Sequence, residues 1–136
     1  MFNLVLPLVL TTGLAHAWEP PALPACSDLA LLVQHDFAYV QANICTLCGS
    51  VSSNYCEMDW PTNDVPLCSD FDKMRNGIYA YYGRPFTTDE WKTYFASQSW
   101  YKVNPEYSDA LLSEAAKRNV ALLKKFADDG TSCMKQ

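Results

Sequence analysis

The sequence predicts a mainly α fold: a small helical domain of three to four helices with a disulfide-stabilised loop region. Three observations lead there. Apolar residues recur at three- and four-residue steps in 69–82 and again in 108–127, the spacing of one helix face. No stretch of comparable strength alternates with the period of a strand. All six cysteines lie beyond residue 25, and four of them fall between 45 and 68 in a stretch rich in Ser, Asn, Asp and Pro. A chain of 136 residues holds one domain, because single cores occupy about 100–200 residues.

Residues 1–17 read as a signal peptide, with an apolar run from Phe2 to Leu10 and a small-x-small close at Ala15-His16-Ala17. The run falls short of the roughly 20 residues that cross a bilayer, so no membrane span is expected after signal cleavage. No Lys or Arg precedes it. Residues 18–25, WEPPALPA, hold three prolines and read as an extended leader outside the core.

The six cysteines, Cys26, Cys45, Cys48, Cys56, Cys68 and Cys133, form an even set suited to three disulfides, with fifteen pairings open. An oxidising compartment preserves such bonds, and a small chain gains stability from them. The net charge of −5 hides an asymmetry: residues 18–72 carry eight acids and no Lys or Arg, whereas all ten Lys and Arg follow residue 72. The two halves should attract each other, or an acidic face should meet a basic partner. An acidic chain has little means of neutralising phosphates, which excludes nucleic acid as the expected partner.

The elements follow in order. Ser27 is an N-cap before a helix carrying Ala30, Val33, Phe37 and Val40 on one face. The periodicity dissolves over 44–67, which reads as a cysteine-held loop. Ser69 is a plausible N-cap for a helix with Phe71, Met74, Ile78 and Tyr81 or Tyr82 on one side, and Gly83 fits its C′ position. Thr87 and Glu90 have capping-box spacing before a short helix carrying Trp91, Tyr94 and Phe95, which ends near Ser97. The last helix starts near Ser108 or Ser113, carries Leu112, Ala116, Val120 and Leu123, runs to about Ala127 and stops at Gly130. The expected organisation is thus 1–17 signal peptide, 18–25 leader, 26–70 acidic cysteine-rich segment with one helix, 71–127 helical domain and 128–136 tail.

The string Arg75-Asn76-Gly77-Ile78-Tyr79-Ala80-Tyr81-Tyr82-Gly83-Arg84-Pro85-Phe86 resembles the YARHG domain, a bacterial extracellular module named after its own signature. The likeness continues through Tyr94-Phe95, Ser97-Gln98-Ser99-Trp100-Tyr101-Lys102, Leu112-Ser113 and Asn119, covering roughly 71–126. Tyr81 and Tyr82 stand where the signature has Arg and His, so any role tied to that imidazole is lost. Ala116 stands where the family usually has a glutamate, which removes half of a capping box. The resemblance implies a small, mostly helical envelope or secreted module with no established catalytic activity.

Candidate chemistry is sparse. Cys45-Thr46-Leu47-Cys48 has the spacing of a thiol-disulfide motif but lacks the βαβ frame that lowers a thiol pKa. Zinc on Cys45, Cys48, Cys56 and Cys68 lacks a second close pair. Cys26, in Leu23-Pro24-Ala25-Cys26, faintly resembles a lipidation box. His35 has no partner nucleophile at any informative spacing, and Asp128-Asp129-Gly130 reads as a helix stop. Aromatics are the stronger signal: nine of the chain's eighteen lie between Tyr79 and Tyr101. Tyr79, Gly83, Phe86, Trp91, Phe95 and Trp100 are the expected motif core, because aromatics bring about 150–250 Å² each. Arg75, Tyr81, Tyr82, Arg84 and Tyr101 are the candidate recognition surface, since Tyr and Arg are enriched at binding hot spots.

The resulting expectation is a secreted or periplasmic, non-catalytic module with no catalytic residues, cofactor or metal. It would bind an envelope or extracellular protein, peptide or glycan. The alternative is a thiol-disulfide oxidoreductase or zinc-binding protein using Cys45 and Cys48.

Overall fold

The computed structural model describes residues 18–48, 67–130 and 133–135, with the Cys45 side chain outside the description. The expected signal peptide, most of the cysteine-rich loop and Cys56 lie outside the described residues. The described residues form five α-helices and one 3-10 turn, and no strand. The helices are α1 (Asp28–Leu32), α2 (Phe37–Cys48), α3 (Cys68–Tyr81), α4 (Asp89–Ala96) and α5 (Glu114–Asp129), with the 3-10 turn at Asp109–Leu111.

The predicted mainly helical fold is correct, but the helix count is higher than three to four, because the single helix expected after Ser27 is two. Ser27 does cap α1, its side chain accepting from the Ala30 N–H. The chain then breaks before α2. Asn119, on α5, donates through Nδ2 to the carbonyls of Leu32 (2.7 Å) and His35 (2.8 Å), and its Oδ1 accepts from the Phe37 N–H at 2.8 Å. The Ser113 hydroxyl takes the Val33 carbonyl. A remote side chain thereby supplies the partners that a continuous helix would have supplied itself. The apolar stripe survives the break, since Ala30, Val33, Phe37 and Val40 are all buried. The helix α2 also continues through Cys45 to Cys48, a stretch expected to be loop.

Helix ends further along match the sequence more closely. Leu67, not Ser69, is the N-cap of α3, and the Asp70 carboxylate accepts from the Leu67 N–H at 3.1 Å. Gly83 follows α3 with φ +81°, as its C′ position requires. The N-cap of α4 is Thr88, with no side-chain bond, in place of the expected Thr87–Glu90 box. Ser113 caps α5, accepting from the Ala116 N–H at 3.0 Å, and Gly130 ends it with φ +67°.

The main core is largely aliphatic, with Phe37, Phe71 and Tyr82 among its buried side chains. Leu32, Val40, Ile78 and Leu123 are wholly shielded, and α3 packs along α5 at its centre while α1 touches α2, α3 and α5. Each such side chain contributes about 1.5–3 kcal/mol. Phe95 is just as inaccessible but lies in a separate aromatic layer formed by the 84–88 turn, α4 and residues 97–101. Its ring stacks on Phe86 at 4.7 Å and meets Trp100 edge-on at 6.1 Å.

Both ends of the described chain are tied in, more tightly than leader and tail suggested. Trp18 is partly buried, and its indole N–H donates to the Lys102 carbonyl at 3.2 Å. Cys133 is buried and bonded to Cys68, with Cα atoms 5.0 Å apart, beside a parallel bridge between Leu67 and Met134. Cys26 is bonded to Cys48 with Cα atoms 5.5 Å apart, within normal disulfide range. The acidic and basic halves meet through Arg118 and Asp36, 2.7 Å apart and exposed.

Candidate functional site

A groove of about 720 Å³ runs between the main core and the aromatic layer. One wall is α3, which contributes Arg75, Asn76 and Tyr79 at steps of one helical turn or less. The second is the 84–88 turn with Trp91 of α4. The third is α5, where Lys117 and Lys124 stand seven residues apart, on one face, with Val120 between them.

The turn is fixed by backbone bonds. The Arg84 N–H donates to the Tyr79 carbonyl at 3.2 Å, and the Arg84 carbonyl accepts from the Tyr101 hydroxyl at 2.7 Å. Behind it, Gly83 crosses Asn104 closely, with the Asn104 N–H on the Gly83 carbonyl at 2.8 Å. A Cβ on Gly83 would lie 2.5 Å from the Asn104 Cβ and 2.9 Å from the Trp18 indole nitrogen. That crossing leaves the Arg84 side chain over the Tyr79 ring, 4.4 Å from its centroid.

The cations differ in what already neutralises them. Arg75 bonds Asp72 at 3.0 Å, Lys117 bonds Glu114 at 3.0 Å and Lys124 bonds Asp128 at 2.7 Å. The Asp128 carboxyl is accordingly held below its ordinary pKa by the Lys124 bond. Among the described residues Arg84 makes no ion pair. The Arg75 Nε is shut off from solvent and has no partner, a cost of about 1–3 kcal/mol. Asn76 is buried, and its Nδ2 donates to the Asp72 carbonyl at 2.9 Å. Asp109, also in the groove lining, accepts from the Tyr107 hydroxyl, whose pKa is raised first by burial and then by that carboxylate.

Of the expected recognition surface, the groove gathers Arg75 and Arg84 only. Tyr82 is a core residue: it is 8% exposed, meets Tyr81 edge-on at 5.1 Å, and its hydroxyl accepts from the Ser113 N–H at 3.1 Å. Tyr81 is half-buried away from the groove, and Tyr101 spends its hydroxyl on Arg84; burial raises both phenol pKa values. Of the expected motif core, Phe95 and Gly83 are buried, while Tyr79, Phe86, Trp91 and Trp100 are half-buried. Tyr79, Phe86 and Trp91 line the groove. Sequence reasoning missed Asn76, Asp109, Lys117 and Lys124. The seven-residue spacing of the two lysines was the available signal.

The remaining candidates are placed as follows. His35 is half-buried with its ring 5.2 Å from Tyr39. Among the described residues no cysteine is free, no cluster of His, Cys, Asp or Glu is arranged to hold a metal, and no helix is long and apolar enough to cross a membrane.

No curated protein and no solved structure matches the chain. The family model of the YARHG domain matches residues 58–128, more than half of the sequence, and contains all of α3, α4, the 3-10 turn and the groove-facing part of α5. The chain belongs to the YARHG domain family.

Proposed function

We propose that the protein is a secreted or periplasmic, non-catalytic binding module that holds an envelope or extracellular partner in the groove between its two cores. One observation carries this reading: six residues of the family string, Arg75, Asn76, Tyr79, Arg84, Pro85 and Phe86, line a concave site together with Trp91. Its volume of about 720 Å³ lies within the roughly 300–1,000 Å³ of ligand pockets. The disulfides fit an oxidising compartment, and the apolar start of the sequence supports export. The alternative thiol enzyme needs Cys48 as the resolving partner of Cys45, but Cys48 is bonded to Cys26. The zinc set is likewise short of Cys48 and Cys68, which are both in disulfides.

The test is a panel of immobilised peptides and glycans probed with the oxidised, exported protein and with Trp91→Ala. Trp91 is half-buried at the groove wall, so its removal should abolish binding of at least one ligand class and leave the melting temperature within a few degrees. A protein that binds nothing on the panel, yet reduces insulin disulfides in a Cys45-dependent manner, would replace this reading with the thiol enzyme.

A further inference from the structure

We infer that the groove takes a short peptide bearing one carboxylate, which Arg84 anchors. This deepens the binding-module reading and rests on it. The argument begins with charge. Four cations line the groove, but Arg75, Lys117 and Lys124 already face Asp72, Glu114 and Asp128 one turn away on their own helices. A dense polyanion would find three of the four cations already neutralised and would meet the Asp109 carboxylate in the groove wall. A ligand with a single anionic group meets Arg84, the groove cation that makes no ion pair among the described residues.

Arg84 is also prepared for that task. Its backbone is fixed on both sides, through Tyr79 and Tyr101, and its guanidinium lies over the Tyr79 ring at 4.4 Å. A guanidinium placed over a ring face keeps its N–H groups available, and their fork matches a carboxylate in two-point fashion. Little side-chain freedom remains to be lost on binding.

A second polar group specifies an amide. Asn76 is 8% exposed and lines the same groove. Its Nδ2 is committed to the Asp72 carbonyl, while no described residue donates to its Oδ1. A side-chain carbonyl to which no described residue donates can accept from a ligand N–H. Trp91, Phe86 and Leu112 then offer apolar surface for a neighbouring side chain. A carboxylate, an amide N–H and an apolar side chain within one drug-sized volume are the features of a peptide. The carboxylate comes either from the chain terminus or from an Asp or Glu side chain.

The experiment uses positional-scanning pools of N-acetylated tetrapeptides, made in parallel as free acids and as C-terminal amides, with trigalacturonic acid as the competing carboxylated glycan. The oxidised protein is compared with Arg84→Met and Arg84→Lys. Pools with a carboxylate should bind at least tenfold more tightly than pools without one. Arg84→Met should erase the difference, Arg84→Lys should restore part of it, and the melting temperature should stay unchanged. Preference among free-acid pools assigns the terminus, and preference for Asp or Glu within the amide pools assigns the side chain; either supports the inference.

Equal binding of pools with and without a carboxylate, whether terminal or on a side chain, or a preference that survives Arg84→Met, overturns the carboxylate anchor and leaves the binding-module reading standing. Trigalacturonic acid outcompeting every pool replaces the peptide with a glycan. Absence of binding here and across the wider Trp91-dependent panel removes both readings.

Discussion

Leu123 and Phe95 are almost equally hidden from water, at 0% and 1% exposure, yet their neighbours differ in kind. Around Leu123 the main core is built mostly from aliphatic side chains of α1, α2, α3 and α5, joined by Phe37 and Phe71, and one buried amide, Asn119, joins α5 to the turn between α1 and α2. Around Phe95 there are rings: Phe86, Trp91, Tyr94, Trp100 and Tyr101 lie 4.7–6.2 Å away, and most of them are only half-buried. The first core fixes backbone topology through directional bonds. The second holds one short helix by large flat surfaces, which suits a wall that must also face a ligand.

The sharpest way to break the main core is Asn119→Ala. Three backbone groups, two of them in buried bonds and one part-buried, lose their partners at about 1–3 kcal/mol each with partial recovery by water, so a loss of about 4 kcal/mol is expected in urea unfolding. The loss should be global, because α1, α2 and α5 all meet at that amide. Phe95→Ala should cost about 3 kcal/mol, toward the low end for a buried ring, since its half-exposed neighbours can close inward. Hydrogen exchange separates the two variants: α4 amides should lose protection while those of α3 and α5 keep theirs. Equal loss in both regions would make the two cores one cooperative unit.

Gly83→Ala strains the joint between the regions. The positive φ of 81° and a Cβ 2.5 Å from that of Asn104 should lower stability by about 2 kcal/mol, read from the melting temperature. Gly77→Ala should do the opposite. This helical glycine sits at the seam, where its added Cβ would meet only Leu29 Cδ1 at an ordinary 3.9 Å. Alanine should therefore stabilise α3 by about 0.5–1 kcal/mol.

The smallest effect is on pH. Tyr101 in the aromatic layer, and Tyr81 and Tyr107 against the main core, all have phenol pKa values raised above 10.0, chiefly by burial. Their contribution is present below that value and is lost as pH rises through the folded pKa. Phenolate absorbance should lag that of the unfolded chain above about pH 10, and Tyr101→Phe should reduce the lag.

The caps at Ser27, Gly83, Ser113 and Gly130 were legible in the sequence, because each has a capping role within a few positions of itself, whereas the starts of α3 and α4 fell at Leu67 and Thr88 and not at Ser69 and Thr87. The division of α1 from α2 was not legible, because the residue responsible, Asn119, stands 82 positions beyond Phe37. Tyr82 was misplaced for the same reason. It was expected on the recognition surface, but it is buried and its hydroxyl accepts from the Ser113 N–H, 31 residues away. The site was half legible. Arg75 and Arg84 were in the string, whereas Asn76 read only as filler between them and the α5 wall required tertiary packing to bring it near.

The reach of Asn119 also sets an order of events during synthesis. Residues 28–37 leave the ribosome early, but the amide that completes their turn emerges about eighty residues later, followed by Cys133, the partner of Cys68. Until then the turn carbonyls are answered by water, and Cys68 has no native mate. A chain made this way must delay oxidation until α5 arrives or exchange early bonds afterwards, so its folding yield should depend on thiol-disulfide isomerisation and little on the helix-forming tendency of its first half.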